Sequence, residues 1–207
     1  MYIPGQFRET DIEEIRAFIE KNSFGMVIST RRGRPLATHL PLQLIADGEE
    51  WTVTGHIARG NPQWRTMADG EVLVIFQGPH AYVSSSWYAE ENVPTWNYQA
   101  VHLYGQAELL EEEELRRDVA SLMEKYEKHR SSPVLKETMS PELFEEELAG
   151  IVGFKIRIGR IEAAFKLSQN RSDSDYRNII RHLGQEDDPL AADVAEAMGK
   201  IRPGETE

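Results

Sequence analysis

Apolar positions recur first at helical spacing and then, for about a hundred residues, at strand spacing. Ile12, Ile15, Phe18 and Ile19 fall on one helical face. Thr10-Asp11-Ile12-Glu13 before them reads as a capping box with Thr10 as N-cap, and Asn22 and Gly25 end the helix. Gly25–Thr30 is a short apolar strand. An Arg-rich turn leads to a second strand, Pro35–Ala46, and Asp47-Gly48 signals a hairpin into EEWTVTGHI. Glu71–Gly78 is so continuously apolar that burial on both faces is expected. His80–Trp87 and Trp96–Leu110 continue the pattern. Short strands joined by tight turns predict a barrel or sandwich.

The second half changes character. Glu111–His129 is a predicted helix with Leu115, Val119, Leu122, Met123 and Tyr126 as its buried stripe and acidic residues at its N-terminus. Ser140-Pro141 opens another, carrying Leu143, Phe144 and Leu148. A long strand, Ile151–Asn170, follows. Val152, Phe154, Ile156 and Ile158 share one face, whereas Ile161, Ala163, Phe165 and Leu167 have the opposite parity. One extra residue at Gly159, a bulge, would keep both sets inward. Ser172–Leu183 and Pro189–Met198 read as short surface helices, and the tail RPGETE as frayed. The expected organisation is one domain over 1–207, with a helical insertion at about 111–149 and a helical appendage at about 172–200.

VPTWNYQAVHLYG, Val93 to Gly105, breaks the usual rule for a surface strand. Trp96, Tyr98, Ala100, His102 and Tyr104 fall on one side, and Thr95, Asn97, Gln99, Val101 and Leu103 on the other. Large rings with polar tips dominate the first side, which raises the question of what covers it.

Composition narrows the chemistry. The 207 residues are 40% hydrophobic, enough for a real core, and contain no cysteine. Disulfides, thiolate nucleophiles and cysteine metal sites are excluded, and a reducing cytoplasm is the expected location. MYIPGQFRET lacks an apolar signal core, and no apolar run reaches the ~18 residues of a membrane helix. A net charge of −12 argues against a protein that holds nucleic acid electrostatically. Arg31, Arg32 and Arg34 form a basic cluster around Gly33, which reads as a solvated hairpin tip.

Four stretches carry candidate chemistry. TGHIARGNPQW (Thr54–Trp64) leaves a strand and turns through Gly60 into Pro62. Thr54, His56, Arg59, Asn61 and Gln63 supply donors, and free amides at a helix start with an Arg beside them suit a phosphate. A capped turn is the plain alternative. ATHLPLQL places His39 in an apolar strand, where most histidines are core or interface residues. KLSQNRS puts Lys166, Ser168 and Asn170 on one face, which also describes the polar side of an edge strand. His39, His56, His80 and His102 lie on different predicted strands, yet no pair has metal-ligand spacing, so no metal is expected. There is no G-x-S-x-G, Walker A or G-x-G-x-x-G, and no catalytic residue is assigned.

The order THLPL, GHIARGNPQW, FQGPHAYVSSSWY, VPTWNYQAVHLYG, KLSQNRS resembles the PaiB-like family of FMN-binding negative transcriptional regulators, over nearly the whole chain. The resemblance implies a mainly β fold with peripheral helices (α+β): an FMN-binding split β-barrel, similar to pyridoxamine-phosphate (PNP) oxidases, working as a homodimer. The face bearing Trp96, Tyr98, His102 and Tyr104 would be covered by a second subunit with the flavin in the same crevice. Carried over by position, Thr38, His39 and Leu40 would line the ring edge, partly through backbone groups. His56, Ala58, Arg59 and Asn61 would hold the ribityl phosphate. Tyr98, His102 and Lys166 would reach in from the partner. One departure stands out: RSDSDYRNIIRHL carries Tyr176, Ile179 and Ile180 where the family runs Asp-Arg and small residues. The implied role is repression of sporulation and degradative-enzyme genes; on the residues themselves, acidic helical segments and no helix-turn-helix point to action through a partner or a metabolite rather than direct DNA reading. The competing functions are a flavin oxidoreductase acting on a small molecule, and a haem-binding or haem-degrading protein.

Overall fold

The computed structural model describes residues 1–48 and 50–202. The elements run β1 (Arg8–Glu9), α1 (Ile12–Lys21), β2 (Phe24–Arg31), β3 (Arg34–Pro41), β4 (Gln43–Asp47), β5 (Glu50–Ala58), β6 (Glu71–Val83), β7 (Thr95–Leu109), α2 (Glu112–Glu127), α3 (Pro141–Ala149), β8 (Ile151–Lys166), α4 (Asp173–Leu183) and α5 (Pro189–Ile201). The strands form one eight-stranded sheet in the order β3-β2-β6-β7-β8-β5-β4, with β1 paired to β8 off this path. The pairs β2–β3, β2–β6, β4–β5, β5–β8 and β1–β8 are antiparallel. The chain divides into two compact units. Unit 1 holds Met1–Phe18, Gln77–His102 and the residues from Glu162 on; unit 2 holds Ile19–Phe76 and Leu103–Ile161.

In unit 2, β2 and β3 form a hairpin whose turn residues, Arg32 (φ 51°) and Gly33 (φ 73°), are both left-handed. That is the turn whose twist matches the flanking strands, so the basic cluster is a hairpin tip as expected. Gly48 (φ 58°) opens the turn from β4 to β5; Glu49, inside the predicted hairpin, lies outside the described residues. The single strand expected over Pro35–Ala46 is two. Pro41 has no N–H to give, and Leu42 is buried with its N–H donated to the Ser23 carbonyl at 2.9 Å. β3 therefore pairs with β2, and β4 with β5. Within this unit β3 also lies against β5.

The β6 stretch is not buried on both faces. Val72, Val74 and Phe76 are buried, while Leu73 and Ile75 are half-buried. Leu73 and Ile75 pair with Ile28 and Met26 of β2, which in turn pair with Ala37 and His39 of β3. Partners across a ladder share a face, so this outward face is largely apolar.

α2 and α3 fill the predicted insertion. Glu111 and Glu114 make a reciprocal capping box at the start of α2, and the Ser140 hydroxyl caps α3 at the Leu143 N–H, 3.2 Å. Leu115, Phe144 and Leu148 form a small core with Leu110, Val119, Met123 and Ile151 against it. Both apolar faces are narrower than expected: Leu143 of α3 is exposed, and Tyr126 of α2 lies open apart from its hydroxyl, 2.8 Å from that of Ser23.

The parity change expected in β8 is present. Val152, Phe154 and Ile156 are buried, then Ala163, Phe165 and Leu167, so the switch falls in the stretch around Gly159. Here β7 and β8 approach closely: a Cβ on Gly105 would lie 2.1 Å from the Arg157 carbonyl oxygen.

In unit 1, α1 starts one residue later than the predicted capping box. Asp11 Oδ1 accepts from the N–H groups of Glu13 (2.9 Å) and Glu14 (3.3 Å), while the Thr10 N–H donates to Glu9. β6 runs on through Pro79 to Val83, joining two stretches read as separate strands. α4 and α5 are not surface helices. Tyr176, Ile179 and Leu183 of α4 and Val194 and Met198 of α5 are buried, and the Tyr176 hydroxyl donates to the Met198 carbonyl at 2.8 Å. Burial pushes the Tyr176 phenol up to about 12. Of the tail read as frayed, Arg202 is fixed by donating to the Gln169 carbonyl (2.6 Å) and Asp173 (2.9 Å); residues 203–207 lie outside the described residues.

Candidate functional site

The stretch after β5 in unit 2 is organised by Gln63, which is 1% exposed. Its Nε2 donates to the Val27 carbonyl (3.1 Å), the Ser29 hydroxyl (3.1 Å) and the Leu36 carbonyl (3.2 Å). Its Oε1 accepts from the Thr38 hydroxyl at 2.5 Å. Asn61 completes the cluster: Oδ1 accepts from the Gln63 N–H at 3.0 Å, and Nδ2 donates to the Thr38 hydroxyl at 3.0 Å. One glutamine thus ties the turn to both strands of the β2–β3 hairpin. Thr38 and Asn61, both expected at the site, are brought together, with Thr38's hydroxyl spent on Gln63. What Thr38 has left to offer is backbone. The helix start expected to bare amides for a phosphate is instead a 3-10 turn, Pro62–Arg65, and the Asn61 N–H is taken by the Ala58 carbonyl at 2.8 Å.

His39 is exposed and lies beside Phe24, ring centroids 6.4 Å apart and nearly parallel. Leu40 is half-buried on the opposite face of the strand. Ala58 and Arg59 are exposed at the end of β5. Arg59 Nε donates to the Ala149 carbonyl (2.7 Å) and an Nη to the Ile151 carbonyl (2.9 Å). The guanidinium so caps the C-terminal end of α3, where the helix dipole favours a cation, and still has N–H groups to spare. Beside it, a Cβ on Gly60 would meet nothing within 4 Å. An open glycine next to an anchored, exposed guanidinium suits an anion.

His56 sits three residues before Arg59, half-buried, and its Nδ1 is a buried atom with no hydrogen-bond partner. Burial holds its pKa below the ordinary value, partly offset by the Asp118 carboxylate. Asp118, from α2, takes hydrogen bonds on Oδ1 from the Thr54 hydroxyl (2.5 Å) and Gln43 Nε2 (3.1 Å), and burial pushes its carboxyl up. Neither Gln63 nor Asp118 was legible as central: Gln63 appeared as one donor among several, and Asp118 as one more acid on an acidic helix.

The other three predicted residues belong to unit 1. On β7 the inward residues are Asn97, 0% exposed, and Val101, while Trp96 is 54% exposed and Tyr98, Ala100 and His102 are half-buried. The ring-bearing side is therefore the outward one. Trp96 meets Tyr82 edge-on at 5.8 Å and His80 at 6.3 Å. Tyr98 packs on the cluster of Ile3, Phe7 and Ala164. Lys166 donates to the Thr95 hydroxyl and to the Trp96 carbonyl, the latter at 2.8 Å, and its Nζ lies 6.0 Å from the centre of the Phe7 ring. Burial, aided by Arg171, lowers its pKa. His102 is likewise lowered by burial and by the N-terminal ammonium, against the pull of Glu162. Tyr98 and Lys166 thus share the Phe7 neighbourhood.

KLSQN is a buried turn rather than an edge-strand face. Ser168 has φ 62° and donates to Asn97 Oδ1 at 3.1 Å. Asn97 Nδ2 reaches Met198 Sδ at 3.4 Å. Among the described residues no group of three His, Cys, Asp or Glu could hold a metal ion, and no helix is long and apolar enough to cross a membrane.

Residues 1–160 match the family described as "Putative FMN-binding domain". The chain is 57% identical over 199 residues, 96% of each sequence, to the "Protease synthase and sporulation protein PAI 2" of Bacillus subtilis. Among solved structures it is similar to the FAD and heme binding protein of Mycobacterium smegmatis, with a TM-score of 0.60, 18% identity, and 82% of this chain and 78% of that one covered. It is also similar to the flavocytochrome Anf3 of Azotobacter vinelandii, with a TM-score of 0.57, 15% identity and coverage of 83% and 75%. At such identities these two speak for the fold alone, a split barrel with peripheral helices.

Proposed function

The chain belongs to this FMN-binding domain family, with FMN as its cofactor, and from that premise we propose that two copies of it form a flavin-dependent negative regulator of transcription. The observation that carries the reading is the 57% identity, over 96% of both chains, to a relative named for protease synthesis and sporulation. Genes for degradative enzymes and sporulation are then the targets, and the cytoplasm the place of action. We take the chain to act as one split-barrel domain with helical additions.

The residues fit FMN. A phosphate needs anchored positive charge and an open approach, and Arg59 beside Gly60 offers both. His56 adds a ring nitrogen lacking a partner, Asn61 fixes the turn, and Ala58 leaves room. Thr38, His39 and Leu40 would meet the ring edge, Thr38 through its backbone. Tyr98, His102 and Lys166 would come from the second copy, whose docking on the ring-bearing side of β7 would cover the exposed Trp96. Rings with polar tips are enriched at such interfaces. Bound FMN supplies a ring that accepts or releases electrons, and the protein's part is to hold and shield it.

Direct reading of DNA is disfavoured by charge. α4 and α5 pack as a helical pair, but α5 exposes Asp193 and Glu196, and its Lys200 is already paired to Glu196 at 2.8 Å. A recognition helix needs cations free for phosphate. Repression would then work through a partner or a metabolite. The test combines sedimentation of the FMN-loaded protein at micromolar concentration with a gel shift at physiological salt. A dimer that shifts no promoter DNA by itself is expected. A monomer, or tight sequence-specific DNA binding, would overturn the reading, and steady NAD(P)H oxidation would replace it with an oxidoreductase.

A further inference from the structure

In unit 2, α2 covers the face of β5 that carries His56. Side chains two apart on a strand share a face, so Thr54 and His56 point the same way. The Thr54 hydroxyl donates to Asp118 Oδ1 of α2 at 2.5 Å. Gln43, paired with Thr54 across β4–β5, donates to the same oxygen and to the Asp118 carbonyl, each at 3.1 Å. The Asp118 side chain is thus fixed from two strands. Gly153, the β8 partner of His56, lies so close under α2 that a Cβ there would be 2.8 Å from Leu115 Cδ1.

Two buried polar atoms in this layer have no hydrogen-bond partner, His56 Nδ1 and Asp118 Oδ2. No hydrogen bond joins them as they stand, yet each group feels the other. Burial lowers the His56 pKa and raises that of Asp118, and in both cases the charge of the other works against it. An imidazole with its proton on Nε2 offers only an acceptor at Nδ1, which a carboxylate oxygen cannot satisfy. A second proton makes Nδ1 a donor, which a carboxylate oxygen accepts. A charged ring would so relieve two buried atoms whose isolation is costly. The other charges nearby do not offer this. Lys155, paired with Thr54 across β5–β8, is held by Glu114 of α2 at 2.9 Å. Arg117 of α2 is exposed, and Arg59 is turned to the Ala149 and Ile151 carbonyls. These two cations oppose a charge on His56, and a bound dianionic phosphate would favour it. Nδ1 being the buried atom, Nε2 is the ring nitrogen left for a ligand.

We propose that Asp118 is a positioning residue for the flavin phosphate: it orients the His56 ring by accepting from Nδ1–H, so that His56 takes up one proton from water as FMN binds and gives Nε2–H to the phosphate. Which nitrogen faces a ligand is set by the hydrogen bond that the other makes. This role rests on His56 meeting the phosphate, as the flavin reading has it, and extends the site into the helical insertion.

The test has two arms, both on the full-length protein. The first uses no flavin. Histidine Cε1–H resonances are followed by NMR from about pH 5 to about pH 8.5 in the parent, in His56→Gln, which assigns the signal, and in Asp118→Asn. Asn keeps an Oδ1 that can accept from Thr54 and Gln43, so the fold should hold. The His56 midpoint is expected to be lower in Asp118→Asn than in the parent; an equal or higher one would overturn the link between the two residues. In the second arm FMN, and riboflavin, which lacks the phosphate, are titrated calorimetrically in HEPES and in Tris at about pH 7.5, where a phosphate monoester is already a dianion. The difference in heat between the buffers counts protons. FMN should bring proton uptake, up to one per FMN, in the parent, less in Asp118→Asn and none in His56→Gln, and riboflavin should bring none. FMN affinity of the parent should weaken by up to about tenfold per pH unit above this pH. In the FMN-bound parent the His56 Nδ1 proton should be visible by 15N NMR, sheltered from water; its absence would overturn Asp118 as its acceptor without recourse to a variant. Buffer-independent heats with FMN, equal uptake with riboflavin, or undiminished uptake in Asp118→Asn would each overturn the proposal. No binding of FMN at all would overturn the flavin reading itself, and the proposal with it, whatever the first arm shows.

Discussion

Replacing Gln63 by Leu removes the residue that fastens the turn after β5 to the β2–β3 hairpin. The side chain is 1% exposed and makes contacts to Val27, Ser29, Leu36 and Thr38 at 2.5–3.2 Å. Its amide has two protons for three acceptors, so the set amounts to about three full bonds. At about 1 kcal/mol each the loss is about 3 kcal/mol, since Leu fills most of the volume and leaves little cavity. For a chain of this size that lowers Tm by about 6–12 °C. Urea denaturation followed by tryptophan fluorescence should show a lower midpoint at unchanged slope, because the surface exposed on unfolding is the same. FMN affinity should fall with it, as the turn that carries Asn61 loses its tie to the hairpin. A Gln63→Leu protein within about 0.5 kcal/mol of the parent, the range of ordinary surface changes, would refute the idea that this residue builds the site.

Two further outcomes follow from the geometry. Gly105→Ala puts a methyl group 2.1 Å from the Arg157 carbonyl oxygen; backbone must move, at a cost of about 2–3 kcal/mol, and a thermal melt should fall by about 5 °C or more. An unchanged melt would mean that β7 and β8 are not so close. His56 and His102 are both held below the free value of 6.5 by burial. The unfolded chain therefore takes up protons that the folded chain refuses, and stability drops as pH falls through about 6.5. Asp118, raised above 3.8 by burial, has the opposite sign, since its folded form gains the proton more readily. Its relief comes at lower pH, so the histidine loss shows first. Denaturation midpoints measured from pH 8 to about pH 5 should fall, and His56→Gln with His102→Gln should flatten the curve; a flat curve in the parent would contradict the burial of both rings.

The alternation of β7 was legible because period two is local: Trp96, Tyr98, His102 and Tyr104 could share a side only if the chain there was extended, and that side is outward. The Arg32-Gly33 turn and the parity change in β8 were legible for the same reason. What the sequence hid depends on distant partners. Asn97 looks like a surface residue until Ser168 and Met198, far along the chain, come to it. Tyr176, Ile179 and Ile180 looked like a departure from a binding motif. Tyr176 and Ile179 are instead the buried side of α4 packed on α5. Arg59 reads as a free phosphate ligand, yet two backbone carbonyls some ninety residues away hold it. Pro35–Ala46 reads as one strand because nothing local shows that Leu42 turns to Ser23.

The claim on which the rest stands is that this chain grips FMN at the end of β5, with Arg59 on the phosphate. It is tested most directly by titrating FMN into apoprotein, following quenching of flavin fluorescence, for the parent and Arg59→Ala side by side. Arg59→Ala also removes the hydrogen bonds to the Ala149 and Ile151 carbonyls, at about 1 kcal/mol each, so the melting temperature should fall by about 4–8 °C with the protein still folded. Loss of a charge-assisted contact should weaken FMN about tenfold or more. Equal affinities in the two proteins, or no binding in the parent, would contradict the account.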